Sequence, residues 1–133
     1  MNHYHVACAI IEQGGKVLAT QRSEAMSLPL KWEFPGGKIK DGETAPDCLV
    51  RECREELGAE IAVVKPLSPT THRYPSFIVT LYPFRCTIAD GRIVLHEHAA
   101  LAWLPPADLQ TLDWAEADLP VIEEYRRSVF DCI

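Results

Sequence analysis

Glu52, Glu55 and Glu56 crowd three carboxylates into little more than one turn of chain, with Arg51 beside them. On a helix, i,i+3 and i,i+4 spacing makes such groups repel unless a cation lies among them. Clustered carboxylates suit hard divalent cations such as Mg2+ or Mn2+. Mg2+ binds few protein carboxylates and completes its shell with water and substrate phosphates, so the chemistry indicated is a metal-dependent reaction at a phosphate. A solvated acidic helix face laced with Glu–Arg pairs is the alternative reading of the same residues.

The element that must position these groups is a helix over Ala45–Leu57. At about 100° per residue, with Glu52 at zero, Glu55 falls at roughly −60° and Glu56 at roughly +40°, so the carboxylates share one arc. Ala45 and Cys48 lie in that arc and are small, which leaves room above the glutamates. Pro46, Leu49, Val50, Cys53 and Leu57 form the buried stripe, and Asp47, Arg51 and Arg54 occupy the remaining side. Thr44 with Asp47 approximates a capping box. Pro46 is tolerated in a first turn, and Gly58 is a left-handed stop.

The rest of the chain supplies strands. Residues 4–11 read as a strand, Gln13-Gly14-Gly15 as a turn, and residues 16–21 as the hairpin partner. Residues 23–31 read as a loop. Ile39 is expected in a short strand before the Asp41-Gly42 turn. Residues 59–65 and 77–88 follow as strands, Pro83 suggesting an edge or a bulge. Asp90-Gly91 reads as a hairpin turn into residues 92–95, and residues 100–104 as the last strand. A helical turn at residues 107–109 precedes a final helix starting near Asp118, a candidate N-cap, with Ile122, Tyr125 and Val129 on one face. Strands mixed with two separated helices give an α/β class with a mixed sheet.

With 133 residues, 47% apolar and 24% charged, the expectation is one globular domain over residues 1–133. The net charge of −6 argues against duplex nucleic acid as a partner. No stretch reads as a secretory signal or a membrane span. Cys8, Cys48, Cys53, Cys86 and Cys132 lack C-x-x-C spacing, and read as reduced, mostly buried thiols of a cytoplasmic protein.

From Gly37 the chain runs Gly, five residues, Glu43, seven residues, Arg51-Glu52, two residues, Glu55-Glu56, Leu57, Gly58, Ala59. This resembles the Nudix box, departing from it at Cys53 and Ala59, where the family carries larger aliphatics. Trp32-Glu33-Phe34-Pro35-Gly36-Gly37 looks like the entry segment of MutT-type nucleotide hydrolases. The stretches 96–103 and 118–122 resemble the MutT-like and CTP pyrophosphohydrolase branch. The resemblance implies an α/β/α sandwich that hydrolyses a nucleoside triphosphate to monophosphate and pyrophosphate with Mg2+, or Mn2+ in its place.

By the same resemblance, Glu52, Glu55 and Glu56 match metal ligands and Gly36 offers a backbone carbonyl. Glu52 matches the proposed general base, oriented by Arg51, and Glu43 supports the loop–helix geometry. Glu97 looks like an extra loop carboxylate serving as ligand or base. Arg22 matches a phosphate contact, a surface ion pair being its alternative, and Lys38 could add positive charge nearby. Asp118 matches a base-reading position. Phe34, Trp32 and Phe77 are candidates for an aromatic wall against the base or for plain core. His96 and His98 have an H-x-H spacing without a cysteine pattern to support zinc. His3, His5 and His72 read as surface residues.

The substrate implied is an oxidised or modified nucleotide such as 8-oxo-dGTP, with CTP, dCTP or a 5-modified cytidine nucleotide as the alternative. ADP-ribose or dinucleoside polyphosphates fit a chain of this length less well. A catalytically inactive nucleotide-binding module is the reading outside enzymes, and such modules typically lose box glutamates. The chain is expected to act as a monomer or homodimer.

Overall fold

A computed structural model describes residues 1–130. The apolar run at residues 6–11 lies within β1 (Asn2–Gln13). Its side chains alternate between two cores: Cys8 and Ile10 enter one, Ala7, Ala9 and Ile11 the other. A strand buried on both faces shows no apolar–polar alternation, which is why this segment reads as a continuous hydrophobic run.

β1 is the middle of the sheet. It pairs antiparallel with β2 (Lys16–Gln21) and β4 (Gly36–Lys38), and parallel with β7 (Phe77–Asp90). β3 (Trp32–Glu33) and β8 (Ala100–Leu104) join β2, while β5 (Glu60–Pro66) and β6 (Thr70–Arg73) join β7. One parallel pair among antiparallel ones makes the sheet mixed. Helix α1 (Ala45–Leu57) covers one core with Leu49, Cys53 and Leu57. Helix α2 (Leu119–Phe130) covers the opposite core with Val121, Ile122 and Tyr125. The result is the expected α/β/α layering. Tyr125 also donates to Glu12 at 2.7 Å, tying α2 to the sheet.

The local signals for α1 hold at both ends. Thr44 accepts from the Asp47 amide at 3.1 Å, and Gly58 adopts φ 66°. Cys8, Cys48, Cys53 and Cys86 are free and buried; Cys132 lies outside the described residues.

Four expectations need correction. Pro83 sits in a central strand, fully buried and paired with Cys8. On its other side β5 gives way to β6, and Leu67 donates to the Pro83 carbonyl at 2.9 Å. A residue's N and C=O point to the same side of a strand, so the missing N–H falls where the ladder already breaks. The short strand is β4 rather than a segment around Ile39. Residues 92–95 form no strand: the Val94 and His96 amides instead take the Leu57 and Glu56 carbonyls at 2.8 and 3.2 Å. They satisfy acceptors that a helix C-terminus leaves open. Finally, a 3-10 turn at Glu116–Asp118 precedes α2, and the Asp118 side chain bonds toward Phe34 rather than capping the helix.

Candidate active site

The site begins with a close approach. β4 passes between β1 and α1 so tightly that a Cβ on Gly36 would lie 1.9 Å from the Ala7 carbonyl oxygen. A Cβ on Gly37 would lie 2.3 Å from the Glu52 carboxyl carbon. Only glycine fits at position 36, and at position 37 a side chain would displace the Glu52 carboxylate. The two glycines therefore bring the Glu52 carboxylate directly against the edge of the sheet.

Arg51 fixes that carboxylate. Its Nη1 donates to Glu52 at 2.8 Å, while Nε and Nη2 grip Glu43 at 2.7 and 3.0 Å. Glu43 in turn accepts from the Lys40 amide at 3.0 Å, which braces the loop before α1 as expected. The Arg51 bonds hold the Glu43 carboxyl at about 2, far below its usual range. Glu55 also meets Arg51, at 3.4 Å, but its side chain is 57% exposed and turns to the arginine side of the helix. The helical arc thus divides: Glu52 and Glu56 face inward together and Glu55 does not.

Glu56 lines a cavity of about 290 Å³ with Gly36, Gly37, Lys38, Glu97 and His98. Burial first, and then the neighbouring Glu52 charge, push the Glu56 carboxyl up to about 7. Two carboxylates as close as those of Glu52 and Glu56 are relieved by a shared proton or by a cation. An all-oxygen donor set of this kind fits a hard divalent ion. Among the described residues no three His, Cys, Asp or Glu side chains converge into a ready-made cage. Mg2+ does not need one, because waters and phosphates complete its shell. His96 and His98 lie on the loop before β8, with His98 turned inward and His96 exposed.

A second cavity, of about 340 Å³, opens beside the first. Val6, Arg22, Glu33 and Lys38 line both, so the two form one cleft with these residues at the junction. The far end is apolar, walled by Leu28, Tyr74, Phe77, Val79 and Leu81, with Asp118 among them. Asp118 is 5% exposed and accepts from the Phe34 amide at 3.5 Å. Burial, then the nearby Glu33 charge, raise its carboxyl well above the ordinary aspartate value.

Of the residues expected at the site, Arg22, Lys38, Phe77 and Asp118 meet around this second cavity, and Gly36, Glu56 and Glu97 around the first. Phe34 also lines the first cavity, but its ring is core, packed on Trp114 with 4.8 Å between centroids, and its backbone N–H reaches Asp118. Trp32 packs against the same core and lines neither cavity. Lys38 places Nζ 4.1 Å from the centre of the Tyr4 ring. Arg22 is the ion pair its alternative reading described, bonded to Glu33 at 2.7 Å, and it also faces the cleft. Glu33 and Tyr74 escaped the sequence reading. A charge between Trp32 and Phe34 on a strand is a usable signal for Glu33; Tyr74, on an unanticipated four-residue strand's exit, offers none.

The NUDIX domain family model matches residues 1–125. The chain belongs to the Nudix family. The CTP pyrophosphohydrolase of Escherichia coli K12 is 35% identical over 125 residues, spanning 94% of this chain and 93% of that protein. A putative 8-oxo-dGTP diphosphatase 2 of Mycobacterium tuberculosis is also 35% identical, over 138 residues, spanning 97% and 92%. The solution structure of the E. coli ORF135 protein superposes with a TM-score of 0.86 at 34% identity, covering 99% of this chain and 94% of that one. This Nudix chain is a hydrolase by these relationships, and it keeps every charged residue of the box.

Proposed function

We propose that this Nudix hydrolase cleaves a nucleoside triphosphate to the monophosphate and pyrophosphate, and that it clears oxidised or modified nucleotides such as 8-oxo-dGTP. The observation that carries the reading is the continuous cleft: a carboxylate-walled cavity joined, at Arg22 and Lys38, to an apolar cavity holding a buried aspartate. The first suits a phosphate chain and the second a base.

Glu52, Glu56 and the Gly36 carbonyl would hold the divalent cation, with Glu97 reaching in from the opposite wall. Such a cation neutralises phosphate oxygens and lowers the pKa of a bound water. The chain's own residues do the rest. Arg51 keeps Glu52 aimed inward, Glu52 or Glu97 accepts the proton of the attacking water, and Arg22 offers its forked guanidinium to phosphate oxygens. Glu55 acts at one remove, through Arg51.

At the base end, burial raises the Asp118 carboxyl, and in its protonated form it would present one O–H donor and one carbonyl acceptor. That pair matches the lactam edge of an oxidised guanine, and it matches the amino and ring nitrogens of cytosine equally well. The second reading, a cytidine triphosphate or its 5-modified form, is favoured by the 35% identity to the E. coli CTP pyrophosphohydrolase. Comparing kcat/KM for 8-oxo-dGTP, 5-methyl-dCTP, CTP and unmodified dGTP under Mg2+ separates the two. A preference for 8-oxo-dGTP over dGTP of at least about tenfold, or about 1.4 kcal/mol, is expected. A comparable margin for the cytidine nucleotides would establish the second reading instead.

A further inference from the structure

Arg22, Glu33 and His98 form a bonded chain along the wall where the two cavities join. Arg22 Nη1 donates to one oxygen of Glu33 at 2.7 Å, and His98 Nε2 lies 2.9 Å from the other. A carboxylate only accepts, so Nε2 carries the hydrogen. The His98 side chain is 3% exposed, and its Nδ1 is buried with no hydrogen-bond partner among the described residues. Glu33 is thus the bond that this ring is placed to make.

Three separate elements deliver these groups. Arg22 follows β2, Glu33 ends β3, and His98 rides on the loop that the Ala99 amide pins to the Gln21 carbonyl at 2.9 Å. On the other side of Arg22, Nη2 reaches the Ser27 hydroxyl at 3.1 Å. Arg22 Nε also donates to the Ser27 carbonyl at 2.5 Å, so Ser27 holds one side of the guanidinium and Glu33, with both oxygens bonded, holds the Nη1 side. Removing His98 takes the donor from one half-buried Glu33 oxygen and frees the carboxylate to turn away from Arg22.

We propose that His98 is a positioning residue for the hydrolytic reaction, fixing Glu33 so that Arg22, bonded through Nε, Nη1 and Nη2 to Ser27 and Glu33, presents the remaining hydrogens of Nη1 and Nη2 to the substrate phosphates. This rests on the reading of Arg22 as a phosphate contact. A mere anchor for the loop before β8 would act through its neighbour Glu97 whether or not Arg22 is present, so the two roles separate in a cycle with Arg22.

The test is a double-mutant cycle in KM and kcat, using whichever of the four nucleotides above the wild type hydrolyses fastest. Arg22→Ala and His98→Ala are each expected to raise KM by about tenfold while kcat stays within about threefold. His98→Gln, whose amide reaches Glu33, should return KM to within about threefold of wild type. In the Arg22→Ala background, His98→Ala should add less than about twofold, because the group it serves is gone. Multiplying effects, or an unchanged KM in His98→Ala beside a raised one in Arg22→Ala, overturns the proposal alone. An unchanged KM in Arg22→Ala overturns the phosphate reading as well. If His98→Ala does not fold, His98→Asn, too short to reach Glu33, takes its place, and equal KM values for Asn and Gln overturn the proposal.

Discussion

Glu56 shows how a site built for a cation burdens the protein that carries it. Its carboxyl is held up at about 7, against an ordinary value of 4.5, by burial and then by Glu52. A group whose folded value is raised lends full stability below its unfolded value and loses it as pH rises through the folded one. Wild-type stability should therefore fall between about pH 4.5 and 7 in metal-free buffer. Glu56→Gln has no charge to develop, so above pH 7 it should melt a few degrees higher, on the order of 1 kcal/mol after solvent screening. The two curves should converge below pH 4.5, near the ordinary value. A thermal-melt difference that does not vary with pH would contradict this origin. Asp118, in the second cavity, is raised in the same direction by burial and then by the Glu33 charge, against the Phe34 N–H that it accepts from.

At the scale of elements, β4 sets the geometry. Gly36 and Gly37 are adjacent, but their neighbours differ in kind. A methyl on Gly36 meets backbone at Ala7, which cannot yield, whereas one on Gly37 meets the end of the Glu52 side chain, which can. Gly36→Ala should destabilise the fold by about 1–3 kcal/mol or more, from overpacking. Gly37→Ala should melt near the wild-type temperature yet lose at least about tenfold in kcat, because Glu52 is pushed off its bond to Arg51. Circular-dichroism melts beside steady-state rates distinguish the two; matching losses of stability would refute it.

The same strand marks the limit of what the sequence discloses. Helix α1 was legible to the residue, because Thr44, Pro46 and Gly58 encode its ends locally. β4 was not, since Gly-Gly-Lys has no strand preference, and what pairs it with β1 is the close approach of Gly36 to the Ala7 backbone. Residues 92–95 carried a hairpin signal in Asp90-Gly91, but the open carbonyls of Glu56 and Leu57 claimed their amides instead. Pro83 looked like an edge residue, and is buried where one ladder partner replaces another. Of the site, spacing gave only the shared arc of the three glutamates, and their roles came from the resemblance to the Nudix box. The divergence of Glu55 from Glu56, and the linkage of Arg22 to Glu33 and His98, depend on contacts between distant segments and leave no local trace.

For the molecule as a whole, the α/β/α layering places the two halves of the cleft on different supports. The carboxylate end rests on α1 and β4; the base end rests on β7, the β6–β7 turn and the 3-10 turn before α2. On the proposed reading, substitutions in the apolar cavity away from the shared Val6, Arg22, Glu33 and Lys38 would change substrate preference more than the rate of hydrolysis. No described helix is long and apolar enough to cross a membrane. With a net charge of −6, the proposed phosphate site would depend on Arg22, Lys38 and a bound cation to make it locally favourable.

Chromatographic analysis of the products, from wild type and from Glu52→Gln and Glu56→Gln, tests the joined cleft most directly. With Mg2+ and the preferred nucleotide, the wild type should release nucleoside monophosphate and pyrophosphate in equal amounts. Chelation of the metal or either substitution should abolish release, while both variants keep the wild-type circular-dichroism spectrum. Nucleoside diphosphate with orthophosphate as products, or near-normal turnover by both variants, would contradict it.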